Sequence, residues 1–306
     1  MRDFSIAVLG VGGVGGCIAA VLAHRGARVT CVAREQTAEV IRTAGLALES
    51  RMFGSFVVHP KATGRLDQKA DVLFVTTKAP NLVEALERVD PAAVQDAVVI
   101  PLLNGLEHLE ALRSRFGHRV AAGSIRIEAR RAGPARIVHA SPFLLVRLAS
   151  DGDIPGPVLD ELASFLSARG METEIGSSEA AVLWEKLARL AALACTTALA
   201  DQPVGFIRRD PVWRGMLEAA VREAVAVAHA AGVTLSAADQ LRVIDGMPDS
   251  LTSSLQRDIA AGAPSELDAI AGAVVRAGRR YGLRCAALED MIARIEAERI
   301  RPCPQP

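Results

Sequence analysis

Ser5-Ile6-Ala7-Val8-Leu9-Gly10-Val11-Gly12-Gly13-Val14-Gly15-Gly16 opens the chain with an apolar strand that runs straight into a glycine turn, and a helical run from Cys17 to Arg25 follows. Strand, glycine turn and helix in that order are the dinucleotide-binding arrangement. Gly10 permits the tight turn, Gly12 lets the backbone approach a pyrophosphate, and Gly15 lets the new helix pack closely on the strand. Val11, Gly13 and Val14 belong to the same cofactor-binding loop. The helix N-terminus adds free N–H groups and the positive end of a dipole.

The next strand, Ala27 to Arg34, decides between dinucleotides. An NAD enzyme places Asp or Glu at its carboxyl end to take the ribose hydroxyls. This chain has Val32-Ala33-Arg34 instead, and a guanidinium there pairs with a 2′-phosphate, so the cofactor is expected to be NADP(H). The competing reading is a solvated Arg34 with Glu35 as its local partner.

At 306 residues, half of them hydrophobic, the chain is comfortable as two domains. Lys plus Arg equals Asp plus Glu at 35 each, so no net field draws it to nucleic acid or an anionic membrane. One Tyr and two Trp leave no stacking platform for single strands. Cys17, Cys31, Cys195, Cys285 and Cys303 show no metal-like spacing and read as reduced thiols of a cytoplasmic protein. Arg2 before the apolar stretch Phe4 to Leu22 imitates a signal peptide, but the glycines break that helix. The late apolar run Leu190 to Ala200 is too short to span a bilayer. No nucleic-acid or membrane partner is expected, and a homodimer is left open.

Strand and helix signals alternate through the first half: a helix over 35–44, a ribbon over 46–59, a strand over 71–76, a helix over 81–89 and a fully apolar strand over 97–103. A helix over 106–116 and a strand over 119–124 follow, then strands near 135–139 and 143–148 around the Gly133-Pro134 turn. A helix over 158–168 and a strand over 172–175 are expected to close the sheet. Beyond Ser177 the signals are helical: 178–200, 211–231, and further helices near Ala237, Ser253, Glu266 and Ala287. The fold class expected is α/β, with an N-terminal Rossmann-type doubly wound sheet over 1–176 and a C-terminal all-helical domain over 177–306. A substrate cleft between the two is the natural consequence.

Lys78 and Asn104 follow strands at the edge where such a sheet binds its ligand. Position alone leaves them open between the nicotinamide end of the cofactor and, respectively, a solvated lysine and a turn former ahead of Gly105. Lys186 lies in an otherwise apolar helix. A desolvated lysine there has a lowered pKa and can protonate an alkoxide, while the plainer reading is a snorkelling surface residue. Ser253-Ser254 and Glu266 form a third cluster, in which Ser265-Glu266 by itself reads as a helix cap and first turn. The six histidines have no ligand spacing, so no metal is expected, and no Gly-x-Ser-x-Gly elbow is present.

Taken in order, these pieces resemble the ketopantoate reductase (2-dehydropantoate 2-reductase) family. The residues are the Gly10 to Gly15 turn, Arg34, Val75-Thr76-Thr77-Lys78-Ala79, Leu103-Asn104-Gly105, the Gly133-Pro134 to His139 segment, Trp184-Glu185-Lys186-Leu187-Ala188, Ser253-Ser254-Leu255-Gln256-Arg257-Asp258 and Ser265-Glu266-Leu267-Asp268. The resemblance implies an NADPH-dependent reduction of a small 2-oxo acid, ketopantoate to D-pantoate, a step toward pantothenate. It also implies Lys186 as general acid, Glu266 as an organiser of the site and Ser254 as a substrate ligand. By the same likeness Asn104 bridges cofactor and reacting centre, and Lys78 and Arg34 contact the cofactor. One departure stands out. Where many members carry asparagines four and eight residues after the lysine, this chain has Leu190 and Ala194. Either other residues, such as Thr196 or Thr197, take over the hydroxyl end of the substrate, or the substrate is a different 2-oxo acid. A β-hydroxyacid dehydrogenase and a non-catalytic NADP(H) sensor are the alternatives. The Ser254 to Glu266 cluster argues against the first, and an intact proton donor against the second.

Overall fold

Strand β1 (Ser5–Leu9) lies at the middle of a five-stranded sheet because every residue after Ser5 is apolar and buried. The computed structural model describes residues 3–152 and 154–300. Arg2, Asp153 and Cys303 lie outside them. The elements after β1 are α1 (Gly13–His24), β2 (Arg28–Val32), α2 (Glu35–Ala44), β3 (Leu46–Ser50), β4 (Gly54–Val58), β5 (Lys61–Thr63), β6 (Val72–Val75), α3 (Leu82–Leu86), β7 (Val98–Pro101), α4 (His108–Phe116) and β8 (Ala122–Arg126). They continue with β9 (Ala129–Gly133), β10 (Arg136–His139), β11 (Leu145–Ala149), α5 (Gly156–Ser167), β12 (Glu172–Ile175) and α6 (Glu179–Ala200). The described chain ends on α7 (Val204–Arg209), α8 (Pro211–Ala230), α9 (Ala237–Asp245), α10 (Ser254–Ala260), a π turn (Asp268–Gly272), α11 (Ala273–Arg280) and α12 (Ala286–Ile300).

The chain divides into two compact units. The first takes the residues up to Leu103 and His108–Val182, and the second takes Asn104–Glu107 and the residues from Leu183 onward. In the first, β5-β2-β1-β6-β7 form an all-parallel sheet. The Val-Leu-Phe-Val of β6 and Val-Val-Ile-Pro of β7 are buried throughout, as strands covered on both faces must be.

The later strands do not close that sheet. They form a four-stranded sheet β4-β3-β10-β9 and a three-stranded sheet β12-β11-β8. The lead-in to β8 meets the parallel sheet at a single Val99–Val120 bridge. The ladders of β8 and β9 go elsewhere: β8 pairs antiparallel with β11, and the β9–β10 hairpin meets β3. Pairing with an antiparallel neighbour satisfies the backbone without a crossover. The three-residue β5 and the six-residue α7 have no counterpart in the sequence pattern, because neither is long enough to show a period.

In the second unit α8 packs with α7, α9, α11 and α12. Asp210 caps its start, accepting from the backbone N–H of Val212 at 2.9 Å and of Trp213 at 3.1 Å. Glu223 on α8 does the same for α12, accepting from Ala287 at 2.8 Å and Leu288 at 3.0 Å. No helix among the described residues is long and apolar enough to cross a membrane.

Candidate active site

The glycine turn has the shape its sequence requires. Gly10 adopts φ +96°, and a Cβ there would come within 2.8 Å of Thr77 Cγ2. At Gly15 a Cβ would overlap Thr76 Oγ1 and the Gly10 carbonyl, so α1 lies against the end of β6 only because this residue has no side chain. Thr76 Oγ1 uses that closeness, donating to the carbonyls of Leu9 at 3.0 Å and Gly10 at 2.7 Å.

Gly12 is different: a Cβ there would meet nothing within 4 Å. It is the N-cap of α1, no side chain caps that helix, and no acidic residue stands in its first turn. The backbone therefore presents uncapped N–H groups to open space, the condition for holding a pyrophosphate. Thr77 Oγ1 is buried beside the turn and has no hydrogen-bond partner among the described residues. Gly13 packs against Ala129 and Val11 is buried, so Val11 offers a ligand its backbone alone. Arg34 is exposed and is the N-cap residue of α2. Glu35, its partner in the competing reading, pairs instead with Arg42 at 2.6 Å. Lys78 is half-buried at the N-cap of a short 3₁₀ turn, Ala79–Asn81, past the end of β6.

The second unit holds the other predicted residues. Asn104 counts with it, and Asn104 Nδ2 donates to Glu266 Oε2 at 2.9 Å across 162 residues of sequence. Gly105, at φ +103°, lies so close to the Ala269 carbonyl that a Cβ would overlap it. Ala269 belongs to the π turn that follows Glu266, so an irregular stretch of helix aims this carboxylate. Glu266 is 8 % exposed.

Lys186, in the second turn of α6, is densely surrounded yet keeps part of its surface open. Burial pushes its pKa down from 10.5 to about 8, the Glu266 carboxylate opposes that fall, and the Arg189 guanidinium adds to it. A buried ammonium facing a carboxylate is a proton donor whose strength is matched to neutral pH. Arg189, which donates to Gln240 Oε1 at 3.1 Å, is a contributor the sequence reading missed. Its signal was the three-residue spacing from Lys186 on one helix face.

Along α6, Leu190 and Ala194 lie one and two turns beyond Lys186. Thr196 and Thr197 do not replace the absent asparagines. Both are fully buried, and their hydroxyls donate at 2.8 Å to the carbonyls of Ala192 and Leu193 on their own helix. Thr197 also bonds Ser253 Oγ at 2.8 Å. Ser253 is itself the buried cap of α10, accepting from Gln256 N–H at 3.0 Å, whereas Ser254 is exposed at the first position of that helix. Gln256 Nε2 donates to Asp201 at 3.1 Å.

The family model described as ketopantoate reductase PanE/ApbA matches residues 6–146, and its C-terminal companion matches residues 180–298. A 2-dehydropantoate 2-reductase of Caulobacter vibrioides is 30 % identical over 301 residues, covering 96 % of this chain and 98 % of the relative. The crystal structure of a ketopantoate reductase from Ralstonia eutropha superposes with a TM-score of 0.86 at 28 % identity, covering 96 % of this chain and 98 % of the other. A D-mandelate dehydrogenase solved with NADH and anilino(oxo)acetate shares the fold, with a TM-score of 0.89 at 19 % identity and coverages of 96 % and 98 %.

Proposed function

This chain belongs to the ketopantoate reductase family, and from that premise we propose that it reduces the 2-oxo group of a small 2-oxo acid with NADPH, ketopantoate to D-pantoate being the favoured reaction. It is an oxidoreductase acting on the CH–OH/C=O pair. The observation that carries the reading is the constellation of the second unit: a lysine with its pKa lowered to about 8, opposed by Glu266, which Asn104 holds at 2.9 Å.

The protein's groups divide the work. The uncapped start of α1 at Gly12 and the Gly10–Gly15 turn would hold a pyrophosphate, Arg34 a 2′-phosphate, and Lys78 a further part of the cofactor. When bound, NADPH supplies a hydride at the carbonyl carbon. Lys186 gives its proton to the carbonyl oxygen as negative charge grows there, and the Glu266 carboxylate keeps the lysine charged before that event. Asn104 orients Glu266 through one amide N–H and has its second N–H for the substrate. Ser254, exposed at the start of α10, is the proposed hydroxyl contact to the substrate.

A second reading rests on Leu190, Ala194 and the two internally bonded threonines. A pocket wall without a polar group does not reward a hydroxylated tail, so an unhydroxylated 2-oxo acid competes as substrate. The deciding experiment follows NADPH oxidation with ketopantoate and with 2-oxo acids of matched branching that lack the hydroxyl. Highest kcat/KM on ketopantoate supports the favoured reaction. Turnover of the unhydroxylated acids alone moves the assignment to the second reading, and no turnover of any 2-oxo acid removes both.

A further inference from the structure

Arg34 is not the only unpaired cation at its edge of the parallel sheet. Strands β2 and β5 run parallel in register, Val32 opposite Thr63, and Ala33 N–H donates to the Thr63 carbonyl at 3.0 Å. Two residues beyond Val32 stands Arg34, and two residues beyond Thr63 stands Arg65. The two segments touch where they leave the sheet: a Cβ on Gly64 would overlap Glu35 Oε2. That contact joins the immediate sequence neighbours of both arginines.

The acid between them is already taken. Glu35 is paired with Arg42, and Arg42 also donates to the Ala62 carbonyl of β5 at 3.1 Å, tying α2 to that strand. Arg34 and Arg65 are both exposed, and among the described residues neither forms an ion pair; nor does Asp67, the next acid along the chain from Arg65. The turn that carries Arg65 is fixed from both sides by Thr63, whose hydroxyl donates to the Arg65 carbonyl at 2.7 Å and accepts from the Arg65 N–H at 3.2 Å. The N-terminus of α2 at Arg34 has no side-chain cap. Two arginines that form no ion pair among the described residues, and a helix start without a side-chain cap, thus lie at the ends of two paired strands, where the adenosine ribose of a dinucleotide lies.

We propose that Arg65 is a second binding residue for the 2′-phosphate, gripping it from β5 while Arg34 grips it from the end of β2. This rests on the NADPH reading above. A dianionic phosphate offers three acceptor oxygens, which suits two forked donors better than one. Both arginines are exposed, so each contact is worth a moderate amount and weakens with salt.

The test is equilibrium binding of adenosine 2′,5′-bisphosphate and of 5′-AMP, measured by calorimetry on the full chain without turnover. Wild-type protein should bind the bisphosphate at least about tenfold more tightly than AMP. Arg65→Gln should weaken the bisphosphate about five- to tenfold and leave AMP within about twofold, Arg65→Lys should recover part of the loss, and the deficit should shrink at high salt. An Arg65→Gln protein that binds the bisphosphate like wild type, while Arg34→Gln does not, overturns the role of Arg65 and leaves the NADPH reading standing. Equal losses for both ligands also overturn it. A wild-type protein without preference for the bisphosphate overturns the inference and the NADPH reading together.

Discussion

The glycine turn of the first unit and the lysine cluster of the second are built by opposite means. At the turn the groups proposed to hold the cofactor are backbone N–H groups, and what matters about the side chains is that they are missing: Gly15 gives α1 its approach to β6, and Gly12 leaves open space. At the lysine site the backbone is scaffolding, and a carboxylate, an amide and an ammonium are brought together from positions 266, 104 and 186. A site made of backbone is contiguous in sequence and tolerates no added atoms. A site made of side chains is scattered and depends on the charges its members exert on one another.

The largest expected effect tests the side-chain half. Lys186→Ala should lower kcat for 2-oxo acid reduction by about two to four orders of magnitude and leave dinucleotide affinity unchanged, measured by steady-state kinetics beside calorimetry. If Lys186 is the proton donor, the reduction needs its ammonium, and the rate should fall about tenfold per pH unit above about 8, the pKa that burial gives Lys186. Glu266 holds that value up, so Glu266→Gln, which can still accept from Asn104, should move the falling limb to lower pH. A limb that stays in place means that a different group supplies the proton.

Next come two substitutions that separate packing from binding within the turn. Gly15→Ala gains about 1 kcal/mol of helix propensity but forces overlap with the Gly10 carbonyl and Thr76, and overpacking of this kind costs about 1–3 kcal/mol. Chemical denaturation should therefore show a net loss of stability. Gly12→Ala meets no protein atom, so stability should hold within about 0.5 kcal/mol while dinucleotide binding weakens, because the methyl group fills the space a pyrophosphate needs. If Gly12→Ala binds normally, the turn is only a packing device.

Leu190→Asn probes the wall beside Lys186. If ketopantoate is the substrate, an amide there should raise kcat/KM for it over an unhydroxylated analogue by about tenfold, or about 1.4 kcal/mol. A folded variant without that gain means that the hydroxyl is read elsewhere or not at all.

The smallest effect concerns stability. His139 is buried, its Nε2 lies 3.1 Å from the Phe143 carbonyl and 3.0 Å from Ser141 Oγ, and its Nδ1 lies 2.8 Å from Ser50 Oγ. Burial favours the neutral ring and holds its pKa below the ordinary 6.5, with the Phe143 carbonyl and Glu128 opposing that fall. In the unfolded chain the ring takes up a proton near 6.5, in the folded one only at lower pH. Stability is therefore whole above 6.5, declines as pH falls below it, and levels off below the folded-state pKa. Denaturation midpoints from pH 8 to 5 should show that decline, and His139→Gln should flatten it.

The strand-turn-helix of Ser5 to Arg25, the helix over 35–44, the strand over 172–175 and the change to helices after Ser177 were all legible as written, because each is a run of adjacent residues with its own period or turn chemistry. From those runs alone the chain was an α/β dinucleotide fold followed by helices. Three decisions belonged to tertiary structure. The late strands went to two further sheets, because hydrogen-bonding partners are chosen among all available edges and not by sequence order. Glu35 was claimed by Arg42 rather than by its neighbour Arg34, because seven residues, two turns of α2, bring Arg42 onto the same helix face. Thr196 and Thr197, polar in the sequence, were spent on carbonyls of their own helix, a choice burial imposes on any hydroxyl that cannot reach water. The strength of Lys186 as an acid lay equally beyond the sequence: a pKa is set by how much solvent is excluded and which charges remain close, and both exist only once the chain has folded.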